Sequence, residues 1–388
     1  MAAERRIAFV TGARSEYDLL VPVLRALEGR GDVRPEVVAA AAHLSPFHGH
    51  TIDLIRADGF RIAGTVPSLL ASETWEARAL SFAHLVEGLT RLLAGSRPDL
   101  LVVAGDREEA LAAALVGNFL AVPVAHLFGG DRCVASDVDE VFRPALSKLA
   151  HLHLTATEGH RDRLVRMGEE PVRVHVCGAT GLDRFRTEPV VSAAELSREF
   201  GFDAGAPFFL VLFHPSPTLS MQASGDEMRA LLGGLLEIGR PVVCLDPNTD
   251  PGNVAVREAI ESAGRRSPLV RAHPTLPRRA VVNLYRRCAA IVGNSSSIVI
   301  ESGFVRVPGI LVGHRQDLRE VGPNVLSVPA EAGAVREAAR RTLGDEAFRR
   351  VVASCPSLYG DGHAGPRAAR ILAEEPLDPA LLRKTNAY

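Results

Sequence analysis

Short, unbroken apolar runs alternate with amphipathic helical stretches along this chain, and that alternation occurs twice. In the first half IAFVTGA (7–13), VRPEVVAAAAHLS (33–45), PDLLVVAGD (98–106), VPVAHLF (122–128) and HLHLTAT (151–157) have the character of strands. EYDLLVPVLRALEGR (16–30), REEALAAALVGNFL (107–120) and, despite Pro144, DEVFRPALSKLA (139–150) have helical spacing. A strand apolar at every position is covered on both faces, and strands that alternate with helices build parallel sheets. A polar stretch at 181–205 interrupts the pattern, which then restarts. PFFLVLFHP (207–215), PVVCLDP (241–247), PLVRAHP (268–274), AAIVGNSSS (289–297) and PGILVGH (308–314) are the next strands and their loops. Helices are expected around 224–238, 278–288, 298–305, 330–343 and 364–375. The expected fold class is α/β, with two Rossmann-like domains of parallel strands facing an interdomain cleft. Ligands are expected outside the carboxyl ends of the strands. The boundaries read as 1–190 for the first domain, 191–365 for the second, and 366–388 for a helix and tail that pack back on the first.

Composition removes several classes of function. The chain has 388 residues, 47% of them hydrophobic and 23% charged, so it can bury a large core. Its formal charge is -2 and no long basic block occurs, which argues against a nucleic acid partner. No run of about 18 apolar residues exists, so no membrane partner is expected. The N-terminal residues lack the apolar stretch of roughly 7–15 residues that marks a signal peptide, and the expected location is cytoplasmic. The five cysteines, Cys133, Cys177, Cys244, Cys288 and Cys355, are scattered without a CxxC. Neither zinc nor a disulfide framework is expected. Asp246 and Asp250 flank a turn in DPNTD, which reads as a capped loop; no metal and no cofactor are implied.

The strand ends carry the polar residues that chemistry needs. TGARSEYD (11–18) opens a helix without the GxGxxG dinucleotide pattern. Arg14 there fits an anion-holding guanidinium or a surface arginine paired with Glu16. Asp106 in AGDREEA fits a helix cap or a cleft carboxylate. His214 in FHPSPT can donate to a phosphate or act as a general acid, or simply be a structural loop histidine. GNSSSIVIES (293–302) follows a buried run and opens a helix. Backbone N–H groups there, with Ser295, Ser296 and Ser297, can cradle a diphosphate, and Glu301 one turn on can bind ribose hydroxyls. A plain cap with a solvated Glu is the competing account. GxxxxGK[ST] is absent, which excludes P-loop chemistry.

Taken together and in order, TGARSEYDLL, AAAHLS, AGDREEALAAA, VPVAHLFGGDR, DEVFRPALSKLAHLHL, TATEGHRDRLVRMGE, FHP and GNSSSIVIESGFVRVPGILVGHRQ resemble the UDP-N-acetylglucosamine 2-epimerases. The hydrolysing, sialic-acid-pathway type is the nearest, and the likeness spans almost the whole chain. The resemblance implies a GT-B fold, a nucleotide sugar as ligand with its diphosphate mainly on the second domain, and a homodimer. It gives Arg14 the family's phosphate-binding arginine, Asp106 and Asp139 acidic active-site positions, and Arg143 an active-site arginine. It gives His214 the histidine near the diphosphate. Ser295, Ser296, Ser297 and Glu301 match the phosphate- and ribose-binding segment. HRQ (314–316), with Arg315, resembles a stretch near the ligand, although His314 stands where Asp is usual.

The departures from the family pattern steer the expected function. Phe128 lies where the family shows Glu or His, Pro144 replaces a usual His, and Asp131 stands where a second Glu would be. Family members remove the C2 proton and expel the nucleotide in an anti elimination, which needs a positioned base. Phe cannot supply one, whereas breaking the C1–O bond needs only charge stabilisation on the diphosphate. The leading expectation is therefore glycosyl transfer from a UDP- or GDP-sugar to a small-molecule acceptor. A thiol fits best, as in the ergothioneine S-glycosyltransferase of lincomycin assembly, with Phe128 shaping the acceptor or sugar pocket. The alternative is hydrolysing 2-epimerisation, with Asp106, Asp131 and Asp139 moving the proton. A non-catalytic sugar-nucleotide binding protein is the third reading.

Overall fold

The structure is a computed structural model that describes residues 4–70, 72, 74–134, 139–216, 221–247, 250, 252–273 and 276–387; of these, the side chains of Asp139 and Met221 are not described. The chain forms two compact units. The first comprises Met1–Asp131, Val138–Asp183 and Gly360–Tyr388, and the second Arg132–Asp137 and Arg184–Tyr359.

Seven strands make the sheet of the first unit: β1 (Arg5–Thr11), β2 (Val33–Ala40), β3 (Ile62–Val66), β4 (Leu100–Ala104), β5 (Val124–Leu127), β6 (Leu152–Thr155) and β7 (Val174–Val176). Their order is β3-β2-β1-β4-β5-β6-β7 and every neighbouring pair is parallel. Successive side chains of β1 enter opposite cores. Ile7 and Phe9 meet Tyr17, Leu20 and Leu24 of the helix Arg14–Leu27. Ala8 and Val10 meet Leu85, Leu89 and Leu93 of the helix Trp75–Ser96. Each fully buried Leu or Phe of this kind contributes about 1.5–3 kcal/mol.

The C-terminal segment belongs to this unit. The Asp183 carboxylate accepts from the backbone N–H groups of Ala364 (3.0 Å) and Gly365 (2.7 Å), which fixes the start of the helix Ala364–Glu374. Gly365 lies where a Cβ would stand 2.6 Å from the carbonyl of Pro22, so no larger residue allows this approach. Further on, the Lys384 ammonium donates to the carbonyls of Ser147 (2.9 Å), Lys148 (2.9 Å) and Ala150 (2.7 Å). These are the orphan carbonyls at the end of the helix Asp139–Leu149, where a cation is favoured.

Six strands make the sheet of the second unit: β8 (Phe209–Leu212), β9 (Val242–Leu245), β10 (Val270–His273), β11 (Ala290–Gly293), β12 (Gly309–Val312) and β13 (Val325–Val328). The order is β10-β9-β8-β11-β12-β13, again all parallel. Phe209 and Val211 face one core and Phe208 and Leu210 the other. The single helix expected at 298–305 is instead two short ones, Ser296–Ile300 and Ser302–Val305. The buried Ser302 hydroxyl bonds back to the Ile298 carbonyl and accepts from Asn324 Nδ2 at 2.8 Å. Such back-bonding competes with the helical ladder and bends the chain. Among the described residues no helix is long and apolar enough to cross a membrane.

One backbone position in this sheet admits only glycine. Gly293, at the end of β11, has φ +139° and a Cβ there would stand 2.0 Å from the Leu212 carbonyl oxygen. Gly293→Ala combines backbone strain with a clash against a neighbouring strand, and we expect it to lower unfolding stability by about 3 kcal/mol or more. Chemical denaturation of the two proteins measures this, and an unchanged midpoint would contradict the tight approach of β11 to β8.

Candidate active site

Each sheet reverses its winding once, between β1 and β4 in the first unit and between β8 and β11 in the second. Loops leave in opposite directions at such a point and open a crevice outside the strand ends, where ligands of α/β folds bind. The residues picked from the sequence sit on these loops or on the adjoining ones that follow β5 and β12.

In the first unit the acids after β4 and β5 are organised around one buried arginine. Arg143, on the helix Asp139–Leu149, is 3% exposed. Its guanidinium pairs with the Asp106 and Glu140 carboxylates and donates to the Asp131 carbonyl at 3.1 Å. A planar fork suits this simultaneous grip better than an ammonium does. The Asp131 carboxylate lies 3.5 Å from His160 Nε2, and both side chains are almost fully buried. His160 is fixed from below, because its backbone N–H donates to Thr157 Oγ1 at 3.1 Å at the start of the helix Glu158–Arg166. Gly130, at φ +79°, leaves room for the His160 carbonyl, which a Cβ would approach to 2.2 Å. Asp139 is the first residue of its helix, and its side chain lies outside the described set.

Phe128 occupies a strained position. Its φ is +69°, a conformation that a bulky residue rarely adopts. The side chain is half-buried and packs against the core beneath β1 and β5. Its backbone N–H donates to the Leu154 carbonyl at 3.1 Å.

After β1, Arg14 begins its helix with its guanidinium 3.6 Å from Asp18. Glu16 turns back toward the loop and accepts from the N–H groups of Gly12 (2.8 Å) and Ala13 (3.3 Å). Gly12 in turn lies against Glu109, whose Cγ would stand 2.2 Å from a Cβ at that position. The loop after β1 is thus flanked by two buried carboxyl groups. Burial, then repulsion from Glu109, pushes the Glu16 carboxyl up to about 8, while Arg107 and the two N–H groups oppose the rise.

In the second unit the loops after β8, β11 and β12 are tied together by Asn294. Its Oδ1 accepts from the His214 N–H and its Nδ2 donates to the His214 carbonyl, both at 2.8 Å. Its own carbonyl accepts from Gln316 Nε2 (2.8 Å) and Arg315 Nη1 (3.4 Å). The ends of β8, β11 and β12 therefore meet at one buried amide. Burial, then the Arg315 charge, holds the His214 imidazole down at about 3, with Asp250 opposing. Ser295 caps the first short helix, and the Ser297 hydroxyl donates to Ser295 Oγ at 3.1 Å while accepting from Tyr285 at 2.7 Å. Ser296 is half-buried. The Glu301 carboxylate is buried and held by Arg184 Nη2 at 2.6 and 2.7 Å, an ion pair invisible in the sequence. His314 sits on the surface against Asp317 at 2.9 Å.

Residues 25–373 match the family described as UDP-N-acetylglucosamine 2-epimerase. A relative from Legionella pneumophila, named UDP-N,N'-diacetylbacillosamine 2-epimerase (hydrolyzing), is 33% identical over 99% of this chain and 100% of its own. A Campylobacter jejuni relative named GDP/UDP-N,N'-diacetylbacillosamine 2-epimerase (hydrolyzing) is 27% identical over 84% of each chain. The fold is that of the Neisseria meningitidis UDP-GlcNAc 2-epimerase bound to UDP-GlcNAc, at a TM-score of 0.82 and 17% identity over 95% of this chain and 100% of that one. The chain belongs to the UDP-N-acetylglucosamine 2-epimerase family.

Membership corrects the leading expectation from the sequence. Glycosyl transfer is overturned, because the Legionella relative, matched over its whole length, and the Campylobacter relative are both named as hydrolysing 2-epimerases. An apolar residue at Phe128 removes one acid–base group but leaves other carboxylates at the strand ends. Among the described residues, Asp106 on Arg143 and Asp131 against His160 keep two carboxylates at the strand ends of this epimerase fold. His126, His160 and Asn294 organise these loops and were not singled out from the sequence.

The Glu16 carboxyl gives a pH test of the loop after β1. Its folded value, about 8, lies above the ordinary 4.5, so the stability it contributes is complete below 4.5 and is lost as pH rises through about 8. Glu16→Gln keeps an oxygen for the two N–H groups and removes the titration. Relative to this variant, the unmodified protein should lose melting temperature steadily between pH 5 and 8. A constant difference across that window would show that Glu16 titrates normally.

Proposed function

We propose that this chain is a hydrolysing 2-epimerase acting on a nucleoside-diphosphate-activated 2-acetamido sugar, of the kind named for its Legionella and Campylobacter relatives. The observation that supports it most is the Asp131–His160 pair at the end of β5. An acid set against an imidazole is what a proton transfer at carbon requires once the neighbouring position, Phe128, is apolar. Asp131 removes the C2 proton. The C2–H electron pair becomes the C1=C2 bond, and the C1–O pair leaves with the diphosphate. Asp106 and Asp139 are the acids left to return a proton to the opposite face of C2 as water adds to C1. The products are the free 2-epimeric sugar and the nucleoside diphosphate.

The second unit carries the leaving group in this reading. Backbone N–H groups near Ser295, the hydroxyls of Ser296 and Ser297, and Arg315 oppose the charge that builds on the diphosphate. Glu301 accepts from ribose hydroxyls in this reading while keeping its pair with Arg184. Phe128 gives the sugar an apolar wall, which suits a deoxygenated, acetamido-substituted ring better than a fully hydroxylated one.

The reaction run in heavy water tests the proposal. UDP-N,N'-diacetylbacillosamine and UDP-GlcNAc are each incubated with the protein. Release of a free sugar with inverted C2 and one deuterium there is expected. Nucleotide release without deuterium at C2, or no release from any UDP- or GDP-linked acetamido sugar, would refute it. Asp131→Asn should lower kcat by roughly 10²–10⁴-fold at little cost in substrate affinity.

A further inference from the structure

His126 lies in the middle of β5, is fully buried, and binds through both ring nitrogens. Nε2 is 2.7 Å from the Gly105 carbonyl oxygen. A carbonyl can only accept, so Nε2 carries the proton and donates. Nδ1 is then bare, and the Ser147 hydroxyl donates to it at 3.2 Å. The tautomer is fixed by chemistry rather than by choice. Burial, partly offset by the bond to Gly105, holds the imidazole down at about 3, so it stays neutral in this role.

The position of that ring matters because of what stands on either side. The Gly105 carbonyl belongs to the peptide that leads into Asp106. Gly105 is left-handed at φ +84°, and its N–H donates to the Leu127 carbonyl at 3.0 Å. Both polar backbone groups of Gly105 are therefore held by β5, one by its backbone and one by its histidine. On the other side the ring fills the space under Gly129, where a Cβ would stand 2.9 Å from Nδ1. Gly129 is flanked by Phe128 and Gly130, both with positive φ. The Ser147 that orients Nδ1 lies on the helix of Arg143, and its carbonyl accepts from Lys384.

We propose that His126 is a positioning residue of the active site, locking the Asp106 turn and the strained Phe128–Gly130 turn in one relative geometry through its bond to the Gly105 carbonyl. It acts through Asp106, not on substrate. The ring is the only side chain among the described residues shown to bond to the Gly105 carbonyl and to contact the Gly129 backbone position. The inference rests on the 2-epimerase reading for its assay.

The test compares His126→Ala, His126→Gln and Ser147→Ala with the unmodified protein, scoring kcat per folded molecule, KM and melting temperature. A side-chain displacement of about 1 Å at a reacting group costs roughly 10²-fold in rate. His126→Ala should therefore lower kcat by tens-fold or more with KM within about threefold. His126→Gln, which keeps an N–H at similar reach, should restore most of kcat. Should the alanine variant fail to fold, Ser147→Ala, which frees Nδ1 alone, should still lower kcat several-fold. Loss of melting temperature with kcat unchanged in every folded variant would make His126 merely structural and overturn the inference. A glutamine variant as slow as alanine would also overturn it. Absence of activity in the unmodified protein would count against the 2-epimerase reading instead.

Discussion

A parallel sheet covered on both faces leaves the ends of its strands as the place where its polar groups can meet a ligand. That constraint organises both units. β1 sends alternate residues into two apolar cores, and β8 does the same, so neither strand can offer a catalytic group along its length. Polar residues gather where the winding reverses, and each unit then needs a buried amide or imidazole to hold neighbouring strand ends in register. In the second unit Asn294 does so by bonding both backbone groups of His214. In the first unit His126 ties the end of β4 to β5. Neither group is charged, which fits burial, where an unpaired ion is far costlier than a satisfied amide.

The turn after β5 holds an apolar residue in a left-handed backbone. Phe128 has a left-handed backbone and carries no proton-active group, and its ring packs on the core below. Strain of order 1–3 kcal/mol at a non-glycine position persists only where the surroundings enforce it. Here they do, through the Phe128 N–H on Leu154, the Arg163 bond to Gly130 at 2.5 Å, and the His160 carbonyl under Gly130. The same turn sets the Asp131 carboxylate, the group given the proton in the proposed reaction, 3.5 Å from His160.

Most of the fold was legible in the sequence, and the reasons for the gaps are physical. The long apolar runs of β1, β4, β5, β8 and β11 announce strands buried on both faces. β3, β7 and β13 lie at sheet edges, are short and only partly buried, and carry little pattern. The helix Trp75–Ser96 buries only Ala77, Leu85, Leu89 and Leu93, a thin stripe that reads weakly. Among site residues, Arg14, Asp106, Asp131, His214 and the serines were marked by their place after strands. The partnerships were not, because Arg143 reaches Asp106 across 37 positions and Arg184 reaches Glu301 across 117. Sequence proximity suggested Glu16 as partner for Arg14, whereas Glu16 is committed to the Gly12 and Ala13 backbone.

The state of His214 bears on how a leaving group could be handled. Burial and the Arg315 charge keep its imidazole neutral in the protein without ligand, so it offers no net charge to draw an anion in. In the proposed reaction attraction begins with Arg315 and the N–H groups around Ser295. An anion seated there cancels the field of Arg315, and its own charge then favours the protonated ring. In the proposed reaction the charge that forms on the departing diphosphate raises the imidazole's affinity for a proton, so the ring that becomes protonated pairs with that charge. A histidine charged from the outset would bind substrate and product alike, and stabilisation spread equally over both would do nothing for the chemical step.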